Sequence, residues 1–199
     1  MSIRNIAALL LIASALAACQ QHPGSLRSAA CFRSQAYTDL NNRPSNISAN
    51  PKCQGDVFYF LSPDCPLCQG YAPLLKKLAE TYNNREFAFY AVFPGTLYTK
   101  QEIASFLSIY QLQNLGVVCD TSESLTHCLG AAITPEVVVT DTAGKLIYKG
   151  RIDDQAWDTG QKKGLTSTHE LEVLLANLSA GKRPVFTQTE AVGCSIENK

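Results

Sequence analysis

Charge of one sign is what this chain lacks first: 17 Lys and Arg stand against 17 Asp and Glu in 199 residues, a formal net charge of zero. There is no basic block and no basic patch interleaved with aromatics, so nucleic-acid binding has no electrostatic footprint. Histidine is scarce, at three residues (His22, His127 and His169). None pairs with another at ligand spacing, and the chain has a single CxxC, so a zinc site lacks its second half. No metal and no cofactor is expected. Beyond the first residues no apolar run is long enough for a transmembrane helix, so the remainder should be soluble. No segment repeats. The length suits one well-packed domain with extensions.

The start of the chain reads as an export signal. Arg4 gives a short positive region, and Ile6 to Leu16 form an apolar stretch too short to span a bilayer. It runs into Leu16-Ala17-Ala18-Cys19, which resembles the lipobox of bacterial lipoproteins, where the cysteine is lipidated and becomes the mature N-terminus. The plainer reading is a cleaved secretory signal that contains a cysteine. The expected organisation is a lipoprotein signal peptide at 1–18, a lipidated tether and loosely structured extension at 19–54, and a folded domain at 55–199. The expected location is the bacterial cell envelope, lipid-anchored and facing the periplasm or exterior.

Cysteine is abundant. After Cys19 come Cys31, Cys53, Cys65, Cys68, Cys119, Cys128 and Cys194. In an exported chain these imply an oxidising compartment and structural disulfides, and an odd count leaves one thiol over. Cys119 and Cys128 flank a short helical stretch and are the candidate structural bridge; closing that loop would add roughly 2.5–3 kcal/mol. The alternative is a second redox pair relaying electrons to Cys65–Cys68. The pairing of Cys31, Cys53 and Cys194 does not follow from sequence. One pair among them would staple the extension or the tail to the core. His127 adjoins Cys128, but neighbouring helical side chains diverge, which disfavours a metal site there.

Cys65-Pro66-Leu67-Cys68 follows the apolar run Val57–Leu61. Tyr71, Leu74, Leu75, Leu78 and Tyr82 then recur at helical spacing. A strand feeding a helix places Cys65 near the helix N-terminus, where amide N–H groups and the dipole favour a thiolate. Cys68 is placed to resolve a mixed disulfide. A further strand is expected at Phe87–Phe93, and Thr99 with Glu102 forms a capping box for the next helix. Strands follow at Leu115–Val118 and Val137–Val139, with a helical stretch near Ser122–Leu129 between them. Asp141-Thr142-Ala143-Gly144 then turns into Lys145–Lys149. Ser167 with Glu170 is read as the cap of a last helix carrying Leu171, Leu174, Leu175 and Leu178.

This order, with CxxC at the first strand–helix junction, resembles the thioredoxin fold. Ile133 to Val139, Tyr148 to Asp154 and the tail Val192-Gly193-Cys194-Ser195-Ile196 resemble AhpC/TSA-type redoxin-domain proteins. The likeness runs from about Asp56 to Ile196. It implies an α/β three-layer sandwich with a mixed sheet, parallel strands first and a C-terminal antiparallel hairpin plus helix. It implies a thiol–disulfide oxidoreductase with Cys65 and Cys68 catalytic, and protein thiols or disulfides and a redox partner as its partners. Thr134 and a cis Pro135 would offer backbone to a bound substrate, and Pro73 matches the family's helix-kinking proline.

Tyr59 stands where many thioredoxins keep a buried acid, and a phenol cannot replace it at neutral pH. Asp64, if charged nearby, would raise the Cys65 pKa. A peroxiredoxin is the nearest rival, but Phe58 or Leu61 stands where the peroxidatic motif needs proline. A Cu(I)-handling protein is another, though related ones space their cysteines by three residues. A non-catalytic scaffold is the last. The haem-attachment pattern fails because Gln69 follows Cys68. Arg151, Asp153 and Asp154 are read as bracing a turn ahead of forming a charge cluster.

Overall fold

The apolar run after Gly55 becomes the middle strand of a mixed sheet. A computed structural model describes residues 30–45, 47, 52–82, 86–158, 161–163 and 168–196. The expected signal peptide, Cys19, His22 and Ser167 lie outside the described residues. In chain order the elements are α1 (Ala30–Arg33), β1 (Tyr37–Thr38), β2 (Pro44–Ser45), β3 (Gly55–Phe60), α2 (Pro66–Tyr82) and β4 (Phe87–Pro94). There follow α3 (Lys100–Ile109), β5 (Gly116–Asp120), α4 (Ser124–Leu129), β6 (Ile133–Thr134), β7 (Glu136–Asp141) and β8 (Leu146–Gly150). The last are β9 (Ala156–Asp158), β10 (Gln161–Lys163), α5 (Glu170–Ser179), β11 (Thr187–Gln188) and β12 (Cys194–Ser195).

The main sheet runs β11-β8-β7-β3-β4-β5-β1-β2. β3, β4 and β5 are parallel neighbours, and the β7–β8 hairpin joins β3 antiparallel. Every residue of β3 is buried, as expected for a strand covered on both faces. Alternation divides its side chains. Val57 and Tyr59 join the core made with Tyr71 and Leu75 of α2, Ile103 and Phe106 of α3, and Leu171 and Leu175 of α5. Phe58 and Phe60 face the other way, onto Phe32, Leu125 and Leu129. Each of these large side chains contributes roughly 1.5–3 kcal/mol through burial. The architecture is the α/β sandwich expected, with its parallel strands first and the hairpin and helix last.

The expected elements fall within a few residues of their places. The capping box of α3 is present: Glu102 N donates to Thr99 Oγ1 at 3.3 Å and Thr99 N to Glu102 Oε2 at 2.7 Å. For α5 the reading differs, because the helix begins at Glu170 with His169 at the N-cap. Residues 30–45 also differ from a loose extension. Phe32 and Tyr37 are buried, and β1 pairs with β5, Thr38 opposite Cys119. A few large apolar anchors fold this segment despite its polar composition. Among the described residues no helix is long and apolar enough to cross a membrane.

The candidate bridge Cys119–Cys128 is corrected by the structure. Cys128 pairs with Cys31, Cα to Cα 5.9 Å, and Cys119 is a buried thiol. Alternation along β5 explains why. Val118 faces the core that holds α4 and Cys128, so the next residue, Cys119, faces the opposite core with α2 and α3. Two cysteines nine positions apart are separated by the sheet itself.

Candidate active site

β3 stops at Phe60, and a short loop leads into α2. The Cys65 carbonyl accepts from Gln69 N at 3.1 Å, so Cys65 occupies the helix N-cap. Pro66 fills the first helical position, where a missing N–H is no loss. Pro73 lies inside the same helix. Cys68, in the first turn, is fully buried, and its sulfur accepts from Ser62 N at 3.4 Å.

The two thiols are driven in opposite directions. The Cys65 pKa falls to about 5, chiefly because the Cys68 thiol donates to its sulfur, with burial opposing. The Cys194 thiol and the amides of Cys68 and Leu67 add to that stabilisation. Cys68 is pushed well up, first by burial and then by its bond and proximity to Cys65. One sulfur is thus a thiolate at neutral pH while its neighbour keeps the proton.

The Thr134–Pro135 peptide bond is cis. The Thr134 carbonyl faces Cys65 and accepts from Sγ at 3.2 Å when that sulfur is protonated. Ser62 Oγ and Thr134 Oγ1 share a hydrogen bond of 2.6 Å. The loop after β3 and the β6–β7 junction therefore meet at the reactive sulfur. Beside them opens a cavity of about 480 Å³, lined among others by Ser62, Asp64, Tyr98, His127, Thr134 and Cys194.

Sequence reading missed the place of Cys194. β12 pairs antiparallel with β6, Cys194 opposite Thr134, so the C-terminal tail lies on the site. The signals available were the odd cysteine and the glycine before it. Cys194's own pKa rises to about 12, first by desolvation and then by its hydrogen bond and proximity to Cys65. Asp64 acts elsewhere than expected: its carboxylate accepts from the Tyr98 hydroxyl, and its charge bears on Cys194. Tyr59 is fully buried and its hydroxyl has no partner among the described residues. Burial drives its pKa upward, so the phenol stays neutral.

The other candidates fall outside the cluster. Arg151 Nε donates to Glu170 Oε1 at 2.7 Å, Asp153 accepts from the Tyr71 hydroxyl, and Asp154 accepts from Thr168 N at 2.8 Å. They tie the turn after β8 to α2 and α5. Among the described residues no group of three or more His, Cys, Asp or Glu side chains is arranged to hold a metal ion.

No family model and no curated protein matches the chain. Solved structures do. A hypothetical protein from Sinorhizobium meliloti 1021 is similar with a TM-score of 0.70 and 23% identity, over 81% of this chain and 89% of that one. A thioredoxin-like protein from Aeropyrum pernix is similar with a TM-score of 0.50 and 20% identity, over 58% of this chain and 80% of that one. The fold is thioredoxin-like. A third structure sharing it is a secreted Mycobacterium tuberculosis disulfide oxidoreductase, described as homologous to E. coli DsbE. Its TM-score is 0.53 at 16% identity, over 77% of this chain and 99% of that one. In this thioredoxin-like fold the central strand β3 delivers the CxxC pair to one end of the sheet, where the cis-proline junction meets it.

Proposed function

We propose that this chain is a thiol–disulfide oxidoreductase of the cell envelope, held at a membrane by lipid on Cys19 and acting on protein disulfides. The observation that carries the chemistry is the placement of the pair: Cys65 at the N-cap of α2 facing the cis Thr134–Pro135 junction, beside a fully buried Cys68. Cys65 attacks one sulfur of a partner disulfide, and the partner's other sulfur leaves as a thiolate. Cys68 then gives up its proton and attacks Cys65 Sγ, expelling the second partner thiol. The partner gains two electrons and two protons, one proton from Cys68 and one from solvent, and the chain is left with a Cys65–Cys68 disulfide. The same steps run backwards when the chain donates its disulfide.

Thr134 and Pro135 form the backbone edge next to Cys65, and the tail strand β12, paired there with β6, takes the place a partner strand would occupy. The lipid anchor and envelope location are supported by the Leu16-Ala17-Ala18-Cys19 pattern and by cysteine usage. Full-length chain carrying Cys68→Ala and Cys194→Ala tests the exchange, because no neighbouring thiol remains to release a captured partner. Mixed disulfides that vanish on further replacing Cys65 are the expected result. Absence of any Cys65-linked adduct would sink the reading. Metabolic labelling with a fatty acid, lost on Cys19→Ala, tests the anchor.

A further inference from the structure

Three sulfurs converge on one point of this fold, and they differ in access. Cys65 is 1% exposed and Cys68 0%, whereas Cys194 is exposed. The tail is built onto the site. Cys194 lies opposite Thr134 and Ser195 opposite Ile133. Thr134 Oγ1 donates to the Cys194 carbonyl at 3.3 Å, and Ile196 N donates to the Ala132 carbonyl at 2.9 Å. A Cβ at position 193 would stand 2.1 Å from the Thr134 carbonyl oxygen, so glycine is what lets the strand approach this closely. In this register Cys194 stands opposite Thr134, the residue whose carbonyl faces Cys65 Sγ at 3.2 Å, so both cysteines border the same residue beside the same cavity. A strand that carries a cysteine and pairs with an exposed edge is the way an extended peptide is presented to a sheet. Here the peptide belongs to the same chain.

We propose that Cys194 is a third exchange thiol, which takes the disulfide over from Cys68 and carries it from the buried CxxC pair to the surface. The inference rests on thiol–disulfide exchange at Cys65. Starting from the Cys65–Cys68 disulfide, Cys194 gives up its proton and its sulfur attacks Cys65 Sγ. The Cys65–Cys194 bond forms, the Cys65–Cys68 bond breaks, and Cys68 leaves as a thiolate that takes up the proton. No electrons are gained or lost; the disulfide changes one partner. Burial favours this product, because Cys68 in apolar surroundings holds a proton strongly. Desolvation, the first cause that holds Cys194 protonated, remains in the disulfide, but Cys65 then bears no charge and its added repulsion is absent.

An external thiol then attacks the accessible Cys194 sulfur and expels Cys65, whose stabilised thiolate is a good leaving group. A second external thiol attacks the external sulfur of that mixed disulfide and frees Cys194. Two external thiols become one disulfide; one of their protons ends on Cys194 and the other in solvent. The sealed Cys65–Cys68 pair is thereby reached without moving the tail away.

Oxidation of the full-length chain with glutathione disulfide, acid quenching and peptide mapping test this. Cys68→Ser is expected to accumulate an intramolecular Cys65–Cys194 bond. Adding Cys194→Ser should replace that bond by a glutathione adduct at Cys65. Oxidised Cys194→Ser alone is expected to be reduced by glutathione roughly tenfold or more slowly than the unmodified chain. The proposal is overturned if Cys68→Ser yields no Cys65–Cys194 bond. It is equally overturned if oxidised Cys194→Ser is reduced as fast as the unmodified chain or faster, the behaviour of a tail that merely covers Cys65. A double variant that forms no adduct at Cys65 overturns the underlying exchange reading as well, and so separates the two failures.

Discussion

The thiols of Cys68 and Cys194 and the amides of Cys68 and Leu67 hold the Cys65 pKa down against burial. Their combined effect has two pH consequences. Alkylation of the reduced chain at Cys65 should rise through an inflection near pH 5, well below the ordinary thiol range. The group is an acid with a lowered folded pKa, so its stabilisation of the reduced chain is complete above the ordinary thiol pKa. It is lost as pH falls towards 5. Comparing thermal melts of the reduced chain with Cys65→Ser at pH 9 and pH 5 checks this: the difference should shrink at acid pH. Asp56 shows the opposite sign. Burial raises its pKa to about 6, and the Arg33 guanidinium at 2.8 Å opposes that rise. An acid with a raised folded pKa favours the native state below the usual carboxylate range, and that advantage is lost as pH rises through 6. Arg33→Met removes the opposing cation and pushes the carboxyl higher still. Its cost should therefore be larger at pH 8, roughly 3–5 kcal/mol by chemical unfolding, than at pH 5.

At the scale of elements, β12 is held by a two-residue pairing and the approach of Gly193. Gly193→Val places side-chain atoms against the Thr134 carbonyl and should lift the tail. Faster alkylation of Cys65 with unchanged global stability is the expected result; an unchanged rate would show that the tail does not govern access. The helix α4 depends on Asp120, whose carboxylate accepts from Leu125 N at 3.2 Å and from Thr126 N and Oγ1 at 2.8 Å. Asp120→Ala leaves those buried donors without a partner and should cost roughly 1–3 kcal/mol in denaturant titrations. These elements also show where sequence reading works. α2 and α3 were legible because Tyr71, Leu75 and Leu78, or Thr99 and Glu102, act within one or two turns of each other. Cys65 and Cys68 were legible for the same reason. β12 was not, since its partner β6 lies some sixty residues earlier and two residues carry no periodicity. The Cys31–Cys128 link was illegible because it depends on which face of β5 α4 covers, a fact of packing.

The whole molecule is closed by that link, which spans 97 residues of sequence. In the chain-entropy account a loop of this size contributes roughly 4–5 kcal/mol, more than the shorter bridge first considered. Cys31→Ser should lower unfolding free energy by about that amount while leaving Cys65 alkylation kinetics unchanged, because the link lies on the opposite face of the sheet from the CxxC helix. The link fastens α1 and the segment behind it to the second layer of the sandwich. At the sheet's two margins stand β11 and β2, each two residues long, and β2 begins with Pro44, which has no N–H to offer. Along the main sheet, among the described residues, a neighbouring molecule therefore meets only short edge strands on which to add a strand of its own. Crowded at a surface, copies of this chain would resist edge-to-edge aggregation by construction.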